Sequence, residues 1–287
     1  MDIRIDVSAS SPDAAAEQTE FSYITELPTD TPCGYLVDLA RFPEALRLLF
    51  ELDPVPVYDL PWIYTQSQEE AYAGPILIFP ERDACSEWLR ASYQEGKALA
   101  LYGSNLSLDS ISQHLVTLNK VMTPYGESLF RYADSASLGT LGASLTALQR
   151  QQVLGPLAAI HGCYNDTFWA LRSCSDGNQA TLPEATGPLS LGRDNLAAVE
   201  AHRKDLLIRA FADSSKRPEP IIRHWCQQLE ELGAPSEQGL VEGMEVLIQA
   251  GFRQPLTATE LTTARTSSDV WSGRLEALTQ IVPQEGP

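Results

Sequence analysis

Gly74-Pro75-Ile76-Leu77-Ile78-Phe79-Pro80 and Ala98-Leu99-Ala100-Leu101-Tyr102 are the stretches on which the fold turns. Each holds an apolar run too brief for a helix and without polar alternation, which reads as a strand buried on both faces. Between them Asp83 is placed to cap a helix with Trp88, Leu89 and Tyr93 on one face, and Gly96 closes it. Past the second run, Asp109 or Ser110 opens a helix with Ile111, Leu115, Leu118 and Met122 along one stripe. Leu129-Phe130-Arg131-Tyr132 then reads as a third strand. Leu138, Leu141, Leu145 and Leu148 continue as a helical face, weakened at Gly139 and Gly142. Strand alternating with helix predicts an α/β (α+β) lobe, a short mixed or parallel sheet with flanking helices.

The rest of the chain is arranged around that core. Upstream, Tyr35-Leu36-Val37-Asp38-Leu39 follows the turn-forming Pro32-Cys33-Gly34 and reads as a further buried strand. Residues 7–20 are mostly Ser, Ala, Asp, Glu and Pro with no aromatic residue, so residues 1–20 are expected to be a disordered acidic tail and residues 21–175 the ordered lobe. Polar and breaker residues from Ser175 to Pro188 place a linker at 176–188. Residues 189–287 carry helical spacing almost throughout, as in Ile221, Ile222, Trp225, Cys226 and Leu229 after Pro220, or Leu240, Met244, Leu247 and Ile248 after Ser236. An all-α lobe is expected there.

Charge narrows the partners. The 287 residues carry a formal net charge of -18, and 18 acidic against 6 basic side chains fall within residues 1–100. A surface this negative repels phosphate, so nucleic acid and anionic membrane are poor partners. Five scattered cysteines, Cys33, Cys85, Cys163, Cys174 and Cys226, form no C-x-x-C pair and fit neither a disulfide scaffold nor a zinc site. With no signal-peptide layout at the N-terminus and no apolar run of membrane-spanning length, a cytoplasmic location is expected.

The nucleophile elbow, S-x-x-K, H-E-x-x-H and phosphate-loop patterns are all missing from the sequence. His161 and Cys163 would share a face of a strand, the minimum for an imidazole-activated thiol, but a small apolar cysteine packed beside a partly buried histidine is the commoner arrangement. His114, His161, His202 and His224 form no close pair, so no metal and no cofactor are expected. Glu69-Glu70 and Glu230-Glu231 are adjacent on helices and point apart. Binding chemistry remains. Trp62, Tyr64 and Tyr72 lie among carboxylates in a proline-punctuated stretch and suit recognition of a basic, partly apolar protein surface; the alternative is that they cover a sheet edge. Arg131 and Asp134 straddle Tyr132 and are candidates for a partner contact or an ion pair that locks the lobes.

These residues resemble a known family. Gly74-Pro75-Ile76-Leu77-Ile78, the Trp88-Leu89 helix with Gly96, Leu108 through His114-Leu115, Phe130-Arg131-Tyr132, Leu148-Gln149 and Leu154-Gly155-Pro156 occur in the order seen in type VI secretion effector adaptors. These are the Tap/Tec-type chaperones, first catalogued as a domain of unknown function. Gly34-Tyr35-Leu36-Val37-Asp38 and Leu232-Gly233-Ala234-Pro235-Ser236-Glu237 are similar too. One departure stands out: the family's Asp-Pro step is Asp134-Ser135 here. The resemblance implies a non-catalytic cytoplasmic adaptor that binds a secreted effector toxin and loads it onto the VgrG spike protein. Two other classes remain as alternatives: an immunity or inhibitor protein neutralising a basic toxin, and a thiol-dependent enzyme using Cys163.

Overall fold

In the computed structural model, residues 19–25, 28, 30–164, 166–173 and 187–281 are described. The tail read at 1–20 lies outside these except for Thr19 and Glu20, which belong to a strand, and the linker read at 176–188 lies outside them up to residue 186. In chain order come β1 (Thr19–Ile24), β2 (Gly34–Asp38), α1 (Ala45–Leu52), β3 (Val57–Asp59), a 3-10 turn (Pro61–Tyr64), α2 (Gln68–Ala71), β4 (Pro75–Phe79) and α3 (Asp83–Gln94). Then follow β5 (Ala98–Tyr102), α4 (Leu108–Leu118), β6 (Lys120–Thr123), β7 (Gly126–Leu129), α5 (Ser135–Ser144), α6 (Ala147–Leu154), β8 (Ala159–Tyr164) and β9 (Thr167–Ser173). From residue 193 on, the described elements are helices: α7 (Arg193–Ser215), α8 (Glu219–Glu231), α9 (Glu237–Gln249), α10 (Ala258–Ser267) and α11 (Trp271–Gln280). The chain divides into two compact units, residues 1–199 and 200–287.

The sheet overturns the expectation of parallel or mixed pairing. Seven strands run in the order β1-β9-β8-β5-β2-β4-β3, and every neighbouring pair is antiparallel. β4, α3 and β5 do make a strand-helix-strand unit whose strands point the same way, but β2 is inserted between them and pairs antiparallel with both. The alternation of strand with helix had suggested a parallel or mixed sheet, and the continuous apolar runs need cover on both faces. Here helices cover both faces of an antiparallel sheet, which produces the same runs. The third expected strand is also displaced: Leu129 ends β7 in a separate two-stranded ribbon with β6, and residues 130–132 are outside any strand. Met122 leaves the α4 stripe because α4 stops at Leu118.

Alternation along the strands sorts two cores. Leu36, Leu77, Leu99, Leu101, Ile160, Trp169 and Leu171 face α4, α5 and α6, which contribute Ile111, Leu115, Leu138, Leu141, Val153 and Leu154. Tyr35, Val37, Ile76, Ile78, Ala98 and Ala100 face α1 and α3, with Ala45, Leu49, Cys85, Leu89 and Tyr93. Fully burying each such leucine or isoleucine contributes about 1.5–3 kcal/mol. Gly139 and Gly142, weak points by helix propensity, are where α5 settles on the sheet. A Cβ at Gly139 would lie 2.5 Å from the Trp169 indole nitrogen, one at Gly142 2.8 Å from Phe21, and one at Gly162 on β8 2.3 Å from the Trp169 ring. Trp169 stacks on Phe21 at 5.9 Å.

The unit at 200–287 is built from α8 to α11 and the later turns of α7. Ile208, Ile222, Trp225, Cys226, Leu229, Met244, Leu247 and Leu278 are wholly buried. Two of its buried polar side chains are paired: the Trp225 indole N–H donates to the Gln254 carbonyl at 2.9 Å, and the Gln228 amide both donates to and accepts from the Leu256 backbone at 2.7 and 2.9 Å.

Candidate functional site

Two ion pairs join the loop after β2 to the segment before α5. Asp38, at the end of β2, is 5% exposed. It accepts from the Ala40 N–H at 3.0 Å and from the Arg131 guanidinium at 2.5 Å. Arg41 donates to Asp134 at 2.7 Å, and Asp134 accepts the Ala136 N–H at 3.1 Å as the cap of α5. Arg131 and Asp134 therefore pair not with each other but with Asp38 and Arg41, all within residues 1–199. Ser135 occupies the first helical position, where proline is also well tolerated. Its hydroxyl donates to the Cys163 carbonyl at 2.8 Å, so the departure from Asp-Pro leaves the helix start capped and tied to β8.

Behind these pairs sits a buried amide that the sequence reading passed over. Asn119 is completely buried. Its Nδ2 donates to the Pro61 carbonyl at 3.0 Å and to the Thr65 hydroxyl at 2.6 Å, while its Oδ1 accepts from the Tyr132 hydroxyl at 2.9 Å. The Phe130 N–H donates to its carbonyl at 3.0 Å. One side chain thus holds the 3-10 turn, the end of α4 and the 130–132 segment together. It brings the neighbourhoods of Trp62, Tyr64, Arg131 and Tyr132 into one place, but not as one surface. Trp62 and Tyr132 are core residues, 6% and 2% exposed, and Trp62 packs so closely on Gly74 that a Cβ there would meet its ring at 2.6 Å. Tyr64 and Tyr72 are 63% and 48% exposed.

Tyr64 forms one wall of a hollow of about 370 Å³, with Asp59, Asp109, Ser112, Gln113 and Val116 as the others. Its hydroxyl donates to Asp59 Oδ1 at 3.2 Å, Ser112 donates to the other oxygen of the same carboxylate, and the Leu60 N–H donates to Oδ1 at 2.8 Å. The charges of Asp59, first, and Asp109 raise the Tyr64 hydroxyl above its ordinary pKa. Another hollow, of about 490 Å³, lies in the helical unit beside Arg209, Asp213, Lys216, Arg217 and Glu219. Its charges are mixed, and Arg217 is committed to the Phe252 carbonyl and the Trp225 ring.

His161 and Cys163 do share a face of β8, but neither imidazole nitrogen has a hydrogen-bond partner, the thiol included. Burial raises the Cys163 thiol, with Asp166 adding to it, and burial followed by Arg172 brings His161 down to about 4. A nucleophile and its base need the opposite shifts and a shared hydrogen bond. Among the described residues no group of three His, Cys, Asp or Glu could hold a metal ion, and no helix is long and apolar enough to cross a membrane.

Comparison with curated proteins and with solved structures gives no match. Residues 35–152 match a domain of unknown function, DUF4123, the stretch from β2 to α6 that holds both ion pairs, the Asn119 amide and the hollow beside Tyr64.

Proposed function

We propose that the chain is a type VI secretion adaptor and chaperone, binding a toxic effector in the cytoplasm and helping to load it onto the VgrG spike. The observation that carries this reading is the pairing of Asp38 with Arg131. It joins two of the segments whose residues resemble the adaptor family, Gly34 to Asp38 and Phe130 to Tyr132, and both paired residues lie inside the stretch that matches DUF4123. An adaptor needs a rigid frame that presents contact groups without reacting. The sheet covered on both faces supplies the frame, and exposed aromatic residues beside carboxylates supply contact chemistry.

Co-expression with the products of neighbouring genes, followed by affinity capture on the tagged chain, tests it. A ternary complex with a toxin and a spike protein is expected. Protection of cells from the toxin by this chain supplied in trans, with delivery unaffected by its deletion, would instead mark an immunity protein.

A further inference from the structure

We infer that the hollow beside Tyr64 seats an arginine or lysine side chain of a partner protein's exposed segment, with apolar neighbours of that residue lying on Tyr64 and Val116. The inference rests on the adaptor reading and names the chemistry of the cargo at this face.

Charge comes first. Asp59 and Asp109 enter no ion pair among the described residues, whereas ten other pairs satisfy acidic groups elsewhere in the chain. The donors to Asp59 are neutral, a backbone N–H and two hydroxyls, so they orient the carboxylate without cancelling its charge. Both carboxylates line the one hollow beside the Tyr64 ring.

Shape adds to charge. Asp109, Ser112, Gln113 and Val116 repeat at helical spacing on α4 and form a second stripe beside the core-facing Ile111, Leu115 and Leu118. Opposite them the Tyr64 ring is 63% exposed, a flat face on which a guanidinium can stack. Ile63, in the same turn but outside the hollow's lining, is 44% exposed. The Asn119 amide fixes the turn to the end of α4, so the walls are set before a partner arrives. Among the described residues no group of three His, Cys, Asp or Glu that could hold a metal ion is found, and the negative field disfavours an anion. Backbone pairing is discouraged as well: β3 is a three-residue edge strand set between Pro56 and Pro61, so recognition falls to side chains.

The test uses the full chain and a fluorescein-labelled peptide of alternating arginine and leucine, read by fluorescence anisotropy. Binding is expected, with an alternating glutamate and leucine peptide inert. Asp109→Lys should weaken it about tenfold or more, Asp109→Asn in the same direction, and Tyr64→Ala several-fold, with circular dichroism unchanged. Glu245→Lys on α9 alters net charge equally in the other unit and should leave binding within about twofold. Equal weakening by Asp109→Lys and Glu245→Lys, or no binding of the arginine peptide, overturns the inference. Capture of native cargo separates it from the reading beneath it. Cargo held equally by the wild type and Asp109→Lys refutes the hollow alone. Failure of the wild type to capture any cargo, with the peptide results as expected, refutes the adaptor reading alone.

Discussion

Asn119 on one face of the sheet and His161 on the other are buried polar side chains in opposite states, although the indole N–H groups of Trp62 and Trp169, on the Asn119 face, also have no hydrogen-bond partner. Under α4, α5 and α6 the Asn119 amide is completely enclosed and fully hydrogen-bonded, and the Tyr132 hydroxyl is one of its partners. Under α1 and α3 the Tyr93 hydroxyl and both nitrogens of His161 are enclosed with no hydrogen-bond partner, the imidazole lying 4.5 Å from the Tyr102 ring. Enclosure alone therefore says little about stability. A paired buried group positions the segments it links, while an unpaired one carries its full desolvation cost and makes stability depend on its protonation.

The largest effect expected is at Trp169, in the core on the Asn119 face: Trp169→Ala should cost about 3–5 kcal/mol in urea unfolding, because Gly139 and Gly162 cannot fill the space. Asn119→Ala should cost about 2–3 kcal/mol by the same measurement, since it leaves the Pro61 carbonyl and Tyr132 hydroxyl unmet. On the other face, His161 is neutral in the fold, with a pKa near 4, and ordinary when unfolded. Below about pH 6.5 the unfolded chain takes up a proton that the fold refuses, so stability falls as pH drops through this window and levels off near the folded value. His114, lowered by burial despite its bond to the Val153 carbonyl, adds to the slope. Denaturant midpoints at pH 7 and 5 should show His161→Phe losing on the order of 2 kcal/mol less than the wild type on acidification. The smallest and sharpest comparison removes the same atom from each face. Tyr132→Phe should destabilise by about 1 kcal/mol, and Tyr93→Phe should be neutral or stabilising. Equal losses would erase the distinction.

Strand existence was legible at Ile76–Phe79 and Ala98–Tyr102, because a short apolar run states that both faces are covered. Strand direction was not, because the intervening β2 comes from far upstream and pairs through backbone groups that carry no sequence signal. The aromatic letters of residues 62–72 mark a region but not exposure: Trp62 turns inward and Tyr64 outward within one short turn. Asn119 gave no sign at all, since its bonds to residues 61, 65 and 132 exist only once the chain has folded back. Asp59 stood among prolines and tyrosines without a pattern of its own, and only the approach of α4 makes it part of a hollow.

The indole of Trp169 lies against two positions that lack a side chain, one on a helix and one on the adjoining strand. Substitution at any of the three is then conditional on the others. Methyl groups at 139 and 162 become acceptable only alongside a smaller ring at 169, so these sites should drift as a linked triplet between diverging copies of the gene. Variants made one at a time will exaggerate how intolerant each position is.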